Sequence, residues 1–332
     1  LIADAWMLRG RRVAIAKRLA AAVAVVAAMA GYGAWRMRTT QLLPLAPVAI
    51  VQPNIPQEEK WQQENQGSIQ GILDSITRKR IAQHDARLIL WPEAALPGFI
   101  ADHPEWSRDL RTMARAANTP IIFGTLDVEW HGPGDYDYYN AALLVDSAGV
   151  LNSQPPYRKS YLVPIVERVP FVNPRWFKGL KYFGGFGRGQ NVKPFELSFG
   201  KVGVLICYES IFPQRSREYR REGAKLIVNI TNDAWFGKSL APYQHEAHMA
   251  LRAIENRVGI VRAANTGISG YIDPLGRIQG ETKLEVADSR VYNAQTTDVM
   301  TLYTRIGDWL GTLALLATAL GLVWVRVRPR AA

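Results

Sequence analysis

The chain contains a single cysteine, Cys207, at the end of the apolar run Lys201-Val-Gly-Val-Leu-Ile-Cys-Tyr-Glu-Ser210, a pattern that predicts a buried strand stopping at a sharp turn. A lone thiol forms no internal disulfide, so it serves either as a small core residue or as a nucleophile. Two further residues favour the nucleophile. Leu88-Ile-Leu-Trp-Pro-Glu93 is an apolar strand ending in a carboxylate, and Tyr157-Arg-Lys159 places a lysine in a Pro-rich connection before Leu162-Val-Pro164. A base, a cation and a nucleophile, each where an element ends, suit acyl transfer. A thiol is mostly protonated near neutral pH, and Glu93 is the group to take that proton. Lys159, with a backbone N–H just after Cys207, would hold the developing oxyanion. Glu167 is placed to orient Lys159 or to act as a second carboxylate.

Each of these residues also has a plainer use. Glu93 can cap the segment that follows it, Lys159 can form a solvated basic pair with Arg158, and Glu167 can pair with Arg168 on the surface. Trp61, Trp235 and Phe236 lie outside the expected strands, where large aromatics need either a core or a ligand. His245-Glu-Ala-His248 has its histidines three apart, and the zinc-protease pattern needs four to bring them onto one helical face. The reading is of a site without a metal or other cofactor.

These residues are carried by alternating strands and helices. Strands are expected at 48–51, 87–91, 120–126, 141–145, 195–199, 202–207, 226–230, 259–263 and 270–273. The stretch 58–84 reads as one long amphipathic helix with Ile69, Leu73, Ile76 and Ile81 on its apolar face, and helices are also expected at 105–117, 212–222 and 244–257. Residues 44–47 read as a linker, and the Gly- and aromatic-rich stretch 169–191 as a mobile lid. Such alternation argues for an α/β layered domain.

Two apolar runs bracket this domain in the chain. Residues 19–35 and 309–325 each run about 17 residues without a charge, close to what a bilayer core requires. The second has tryptophan at both ends, as at membrane interfaces. Arg9, Arg11, Arg12, Lys17 and Arg18 precede the first run, and Arg326, Arg328 and Arg330 follow the second. The positive-inside rule then puts both termini in the cytoplasm and the domain outside. A formal charge of +11 over 332 residues is explained in good part by these flanks, and the interior shows no RNA-binding aromatic pattern or basic recognition helix, so nucleic acid is not expected as a partner.

The ordered motifs Trp-Pro-Glu93, Arg158-Lys-x-x-Leu-Val-Pro164 and Ile206-Cys-Tyr-Glu209 resemble those of the nitrilase superfamily, whose triad is Glu-Lys-Cys. Gln52-Pro-Asn-Ile-Pro-Gln-Glu-Glu-Lys-Trp61, Glu167-Arg-Val-Pro-Phe171, Asn232-Asp-Ala-Trp-Phe-Gly237 and Arg262-Ala-Ala-Asn-Thr-Gly-Ile-Ser-Gly270 narrow the resemblance to the apolipoprotein N-acyltransferases within it. The resemblance implies an αββα sandwich and a catalytic Glu93, Lys159 and Cys207. It gives Tyr208 and Glu209 positions of substrate contact, although both can equally pack the turn.

The implied reaction moves an acyl chain from a membrane phospholipid through a Cys207 thioester to the α-amine of a lipoprotein's diacylglyceryl-cysteine. It implies a multi-pass protein of the bacterial inner membrane, with its catalytic domain on the periplasmic face. The expected division is a preceding span or cytoplasmic loop ending at 1–10, a transmembrane helix at 11–36, the catalytic domain at 45–304, a second helix at 307–326 and a cytoplasmic tail at 327–332. The family normally has further spans upstream, so the chain reads as the C-terminal part of a longer protein. Rival expectations are a membrane-tethered amidase that discharges to water and a membrane-anchored binding module without turnover.

Overall fold

The computed structural model describes residues 12–81, 85–169, 185–190 and 192–327. The lid expected at 169–191 falls almost wholly outside the described residues. Residues 1–42 and 43–332 form two separate compact units. The first holds one long helix, α1 (Arg12–Thr39), whose stretch Val13–Thr39 is long and apolar enough to cross a membrane. Glycine and alanine recur along it, and its last turn carries Arg36 and Arg38.

The second unit is built on two six-stranded sheets. The first joins β1 (Leu43–Gln52), β2 (Leu88–Leu90), β3 (Ile121–Gly132), β4 (Asp135–Val145), β5 (Tyr157–Arg158) and β12 (Asp288–Thr296) in the order β12-β1-β2-β3-β4-β5. The second joins β6 (Phe195–Leu197), β7 (Gly200–Ile206), β8 (Ala224–Thr231), β9 (Gly259–Ala264), β10 (Gly270–Ile272) and β11 (Ile278–Gln279) in the order β11-β10-β9-β8-β7-β6. Each sheet has three parallel central strands, β1-β2-β3 and β7-β8-β9, and antiparallel strands outside them.

Period-two alternation decides which face each residue serves. Val48, Ile50, Leu88, Leu90 and Ile122 of the first sheet pack in one core with Val202, Val204, Ile206 and Val228 of the second. Ala49, Val51, Ile89, Ile121 and Phe123 point the other way, onto α2 (Gln66–Ile81) and α3 (Pro104–Ala117) through Ile69, Leu73, Leu110 and Met113. Tyr219 of α4 (Pro213–Arg221) and Met249 and Ala253 of α5 (Ala241–Asn256) cover the second sheet. The layers are therefore helix, sheet, sheet, helix, the αββα sandwich expected from the resemblance. After a short helical turn, Leu302–Ile306, the chain ends in α6 (Trp309–Val327), whose apolar part, Trp309–Trp324, is shorter than that of α1.

Several local expectations are corrected. Residues 44–47 are not a linker but the start of β1, where Pro44 and Pro47 pair only with β12 and a bulge falls between Pro44 and Ala46. A strand bonded on one side tolerates proline, which is why the prolines misled the reading. The helix expected at 58–84 breaks into a single turn, Gln57–Lys60, a 3-10 turn, Gln63–Asn65, and α2. The break falls where Lys60 turns inward and Trp61 outward. Ile69 and Leu73 are buried and Ile76 packs against them, while the side chain of Ile81 lies outside the described residues. β12 was not foreseen, because Asp288-Ser-Arg-Val-Tyr-Asn-Ala-Gln-Thr296 opens with three polar residues and holds no apolar run, and only beside β1 are Tyr292, Ala294 and Thr296 buried.

Candidate active site

Glu93 follows β2 in a loop pressed onto β3. A Cβ at Gly124 would lie 2.6 Å from both the Ala94 nitrogen and the Pro92 oxygen, so only glycine lets the loop approach so closely. Lys159 directly follows β5, and its N–H donates to the Asn140 carbonyl (2.8 Å). Cys207 closes β7 and opens a 3-10 turn, Cys207–Ile211, with φ = 48°. That left-handed conformation costs a non-glycine residue about 1–3 kcal/mol.

The structure brings Glu93, Lys159 and Glu167 together in one buried cluster. The Lys159 ammonium donates to Glu167 Oε1 at 2.8 Å and to Glu93 Oε1 at 3.3 Å. Asn140 Nδ2 donates to the same two oxygens, at 2.7 Å to Glu93 and 3.2 Å to Glu167. The remaining oxygens are also held, Glu93 Oε2 by the Asn232 N–H (2.9 Å) and Glu167 Oε2 by the Val163 N–H (2.7 Å). Burial alone would lower the proton affinity of Lys159. The charges of Glu93, Glu167 and Cys207 outweigh that and raise its proton affinity above the ordinary lysine value. Lys159 is thus no solvated partner of Arg158, which instead bonds Asp127 (2.7 Å) on the other side of the strand.

Burial pushes the Cys207 thiol up to about 12, with the Glu93 charge adding to the rise and Lys159 opposing it. At neutral pH the sulfur therefore keeps its proton until a base removes it. Such a cluster can take a proton from sulfur, hold a negative oxygen beside a fixed cation and return the proton to a leaving group.

Of the two uses left open for Glu209, the structure shows the one that packs the turn. It is fully buried and accepts from Tyr157 Oη (2.8 Å), the Ser160 N–H (2.7 Å) and Oγ (2.6 Å), the Tyr161 N–H (3.2 Å) and the Ile206 N–H (2.9 Å). With both oxygens occupied it ties the Lys159 loop to the Cys207 turn, so its work is scaffolding rather than substrate contact. Replacing it by leucine orphans several buried donors at about 1–3 kcal/mol each, so we expect Glu209→Leu to lose at least about 3 kcal/mol of stability. Glu209→Gln, which keeps one acceptor oxygen, should lose less. Thermal unfolding in detergent checks this, and a Glu209→Leu protein that melts with the wild type would remove Glu209 from the scaffold.

Tyr208 packs edge-on against Phe212 (5.0 Å between ring centres), and Phe212 stacks on Tyr161 (4.3 Å). The other three aromatics do not cover the core. Trp61, Trp235 and Phe236 are 47%, 67% and 40% exposed.

Sequence reasoning missed several residues around the site. Lys60, quoted only as part of a motif, is buried, and its ammonium donates to the Glu93 carbonyl (3.0 Å), while burial brings it down to about 8 against the pull of Glu93. Asn140 had no signal beyond its place just before an expected apolar strand. Asp233, His245 and Arg262 form a second buried network. Arg262 reaches Asp233 (2.5 Å), and Asp233 contacts His245 Nδ1 (2.9 Å). Burial alone would raise Asp233, yet Arg262 and His245 hold it down at about 2. Among the described residues no three metal-ligating side chains gather.

A family model described as carbon-nitrogen hydrolase matches residues 47–293. The chain belongs to the carbon-nitrogen hydrolase family. Its likeness to solved carbon-nitrogen hydrolases is one of fold. An amidase from Nesterenkonia sp. superposes with a TM-score of 0.57 at 18% identity, covering 83% of this chain and 98% of that one. Saccharomyces cerevisiae Nit3 superposes with a TM-score of 0.58 at 20% identity, covering 77% and 92%. Sequence relatives within the family carry the name apolipoprotein N-acyltransferase. The protein from Geobacter metallireducens is 38% identical over 269 residues, 79% of this chain and 50% of its own length. The protein from Rhodopseudomonas palustris is 34% identical over 330 residues, 93% of this chain and 60% of its own length. The carbon-nitrogen hydrolase chain thus spans about half of these curated relatives.

Proposed function

We propose that the chain carries the acyl-transfer site of an apolipoprotein N-acyltransferase. The reading rests on one observation above all: a carboxylate and a lysine locked in one buried ion cluster, in electrostatic reach of the only cysteine, on a strained turn. The names of the relatives and the apolar helix Val13–Thr39 support it further. Glu93 takes the thiol proton as Cys207 Sγ attacks the ester carbonyl of a phospholipid. The oxyanion forms beside Lys159, the ester C–O bond breaks, and the leaving lyso-phospholipid oxygen receives the proton. The α-amine of a diacylglyceryl-cysteine then attacks the thioester, passes a proton to Glu93 and leaves as an amide, and the thiol is restored. Glu167 keeps Lys159 in place, and the exposed Trp61, Trp235 and Phe236 offer apolar surface to acyl chains.

In the same reading, 11–36 and 307–326 span the inner membrane and 45–304 faces the periplasm, following the basic flanks of both runs. The site works without a metal or other cofactor. The test is whether lyso-phospholipid release needs an amine. With phospholipid alone we expect a single turnover, and with a diacylglyceryl peptide carrying a free α-amine we expect repeated turnover. Release that continues at the same rate without any acceptor would make the protein a hydrolase, and absence of any Cys207 acylation would leave it a binding module.

A further inference from the structure

The backbone carbonyl of Cys207 meets a buried histidine. His245 Nε2 lies 3.1 Å from the Cys207 carbonyl oxygen and 2.7 Å from Ser210 Oγ, while Nδ1 lies 2.9 Å from Asp233 Oδ1 and 3.2 Å from an Arg262 nitrogen. A carbonyl oxygen and a carboxylate oxygen can each only accept, so the contact with Cys207 needs a hydrogen on Nε2 and the contact with Asp233 one on Nδ1. The Ser210 hydroxyl adapts to either role, and Arg262, a donor only, bonds the other Asp233 oxygen (2.5 Å). Arg262 is itself fixed by Asn229 (2.6 Å) and the Ile268 carbonyl (2.9 Å), and Thr231 donates to Asp233 (3.1 Å). Gly267 leaves room for this carboxylate, since a Cβ there would lie 2.1 Å from Asp233 Oδ2.

Ser210, His245 and Asp233 thus stand in the order of a serine-hydrolase relay. Ser210, however, is fully buried and meets no substrate, so the chain of hydrogen bonds ends on the Cys207 backbone.

A peptide unit is planar, with its C=O and N–H pointing in opposite directions. Anchoring the Cys207 carbonyl on His245 therefore turns the N–H of the same peptide, that of Tyr208, to the other side. The first N–H groups of a helical turn are not used by the turn itself. We propose that His245, backed by Asp233 and Arg262, is a positioning residue that orients the Tyr208 N–H as an oxyanion donor opposite Lys159. The inference rests on reading Cys207 as the nucleophile. It assigns His245 no contact with substrate and no proton transfer.

Two polar variants separate this role from a structural one. Glutamine places its amide nitrogen near the position of Nε2 and can still donate to the Cys207 carbonyl. Asparagine places its nitrogen near Nδ1, keeps the contact with Asp233 and falls short of the carbonyl. Two reactions of Cys207 report on them. Acylation by a short-chain p-nitrophenyl ester passes through an oxyanion and releases p-nitrophenolate. Alkylation by iodoacetamide displaces iodide at a saturated carbon and forms no oxyanion. Removing an oxyanion donor typically costs 10²–10³ in rate, so for a misdirected one we expect His245→Asn to slow acylation by about 30-fold or more, mostly in kcat and little in KM.

His245→Gln should recover acylation to within about fivefold of wild type, and alkylation should stay within about threefold in both variants. Equal slowing of both reactions in His245→Asn, acylation unchanged in that variant, or no recovery with glutamine would each overturn the proposal. A wild type acylated by the p-nitrophenyl ester but never by phospholipid would count against the acyltransferase reading and leave this test standing.

Discussion

Cys207→Ala is expected to take up no acyl chain from phospholipid and to transfer none, while the wild type gains the mass of one acyl chain when no amine is present. The expectation follows from the state of the thiol. Burial and the neighbouring Glu93 charge push it up to about 12, so the resting sulfur is protonated, and in the proposed mechanism it becomes a nucleophile only as its proton moves to Glu93. No other cysteine exists to substitute for it. Glu93→Gln should form the same adduct slowly, because an amide accepts no proton from sulfur at neutral pH. The adduct should disappear when a diacylglyceryl peptide with a free α-amine is added and persist when that amine is acetylated. Intact-mass measurement reads each case. An acyl group that stays on the protein with the free amine present, or transfer by Cys207→Ala, would end the thioester mechanism.

Lys159→Met is expected to slow acylation of Cys207 by about two to three orders of magnitude, the usual loss on removing one oxyanion donor. The structure gives the substitution a second cost. Lys159 stands between Glu93 and Glu167, whose Oε1 atoms share its ammonium and the Asn140 amide. Without the cation two buried carboxylates face one another across a single amide, an arrangement that low-dielectric surroundings penalise strongly. The proton linkage has a definite sign. The folded protein raises the proton affinity of Lys159, so its contribution to stability is fully present below its unfolded pKa. That contribution is lost only as pH rises through the higher folded value. Stability of the wild type should therefore fall more steeply than that of Lys159→Met at strongly alkaline pH. Single-turnover acylation and alkaline unfolding measure the two effects, and near-normal acylation by Lys159→Met would return Lys159 to a structural role.

Sequence and structure divide the explanation along a physical line. Lys201 to Cys207, Leu88 to Leu90 and Leu226 to Ile230 could be recognised as strands because burial on both faces writes a continuous apolar run into a few adjacent residues. Glu93 and Cys207 were legible for the same reason, since each lies just beyond such a run, and so was α1 as an unbroken apolar stretch, whereas Lys159, in a Pro-rich connection, stood out through the resemblance. The αββα arrangement itself came from resemblance, and periodicity alone gave only alternating α and β elements. Local pattern failed where a residue's environment is supplied from far along the chain. Lys60 sits in a polar stretch that looks helical until Glu93 draws it inward, and β12 has a buried face only beside β1. Glu209 lies two residues from Cys207 in sequence, yet donors from Tyr157, Ser160 and Tyr161 make it a scaffold. The Asn232 N–H reaches Glu93 across 139 residues, and His245 reaches the Cys207 carbonyl across 38. The sequence by itself determined which groups were available for chemistry and which segments bury. Only the tertiary structure decided which donors and charges each group meets, because hydrogen bonds depend on direction and distance in space and leave no period along the chain.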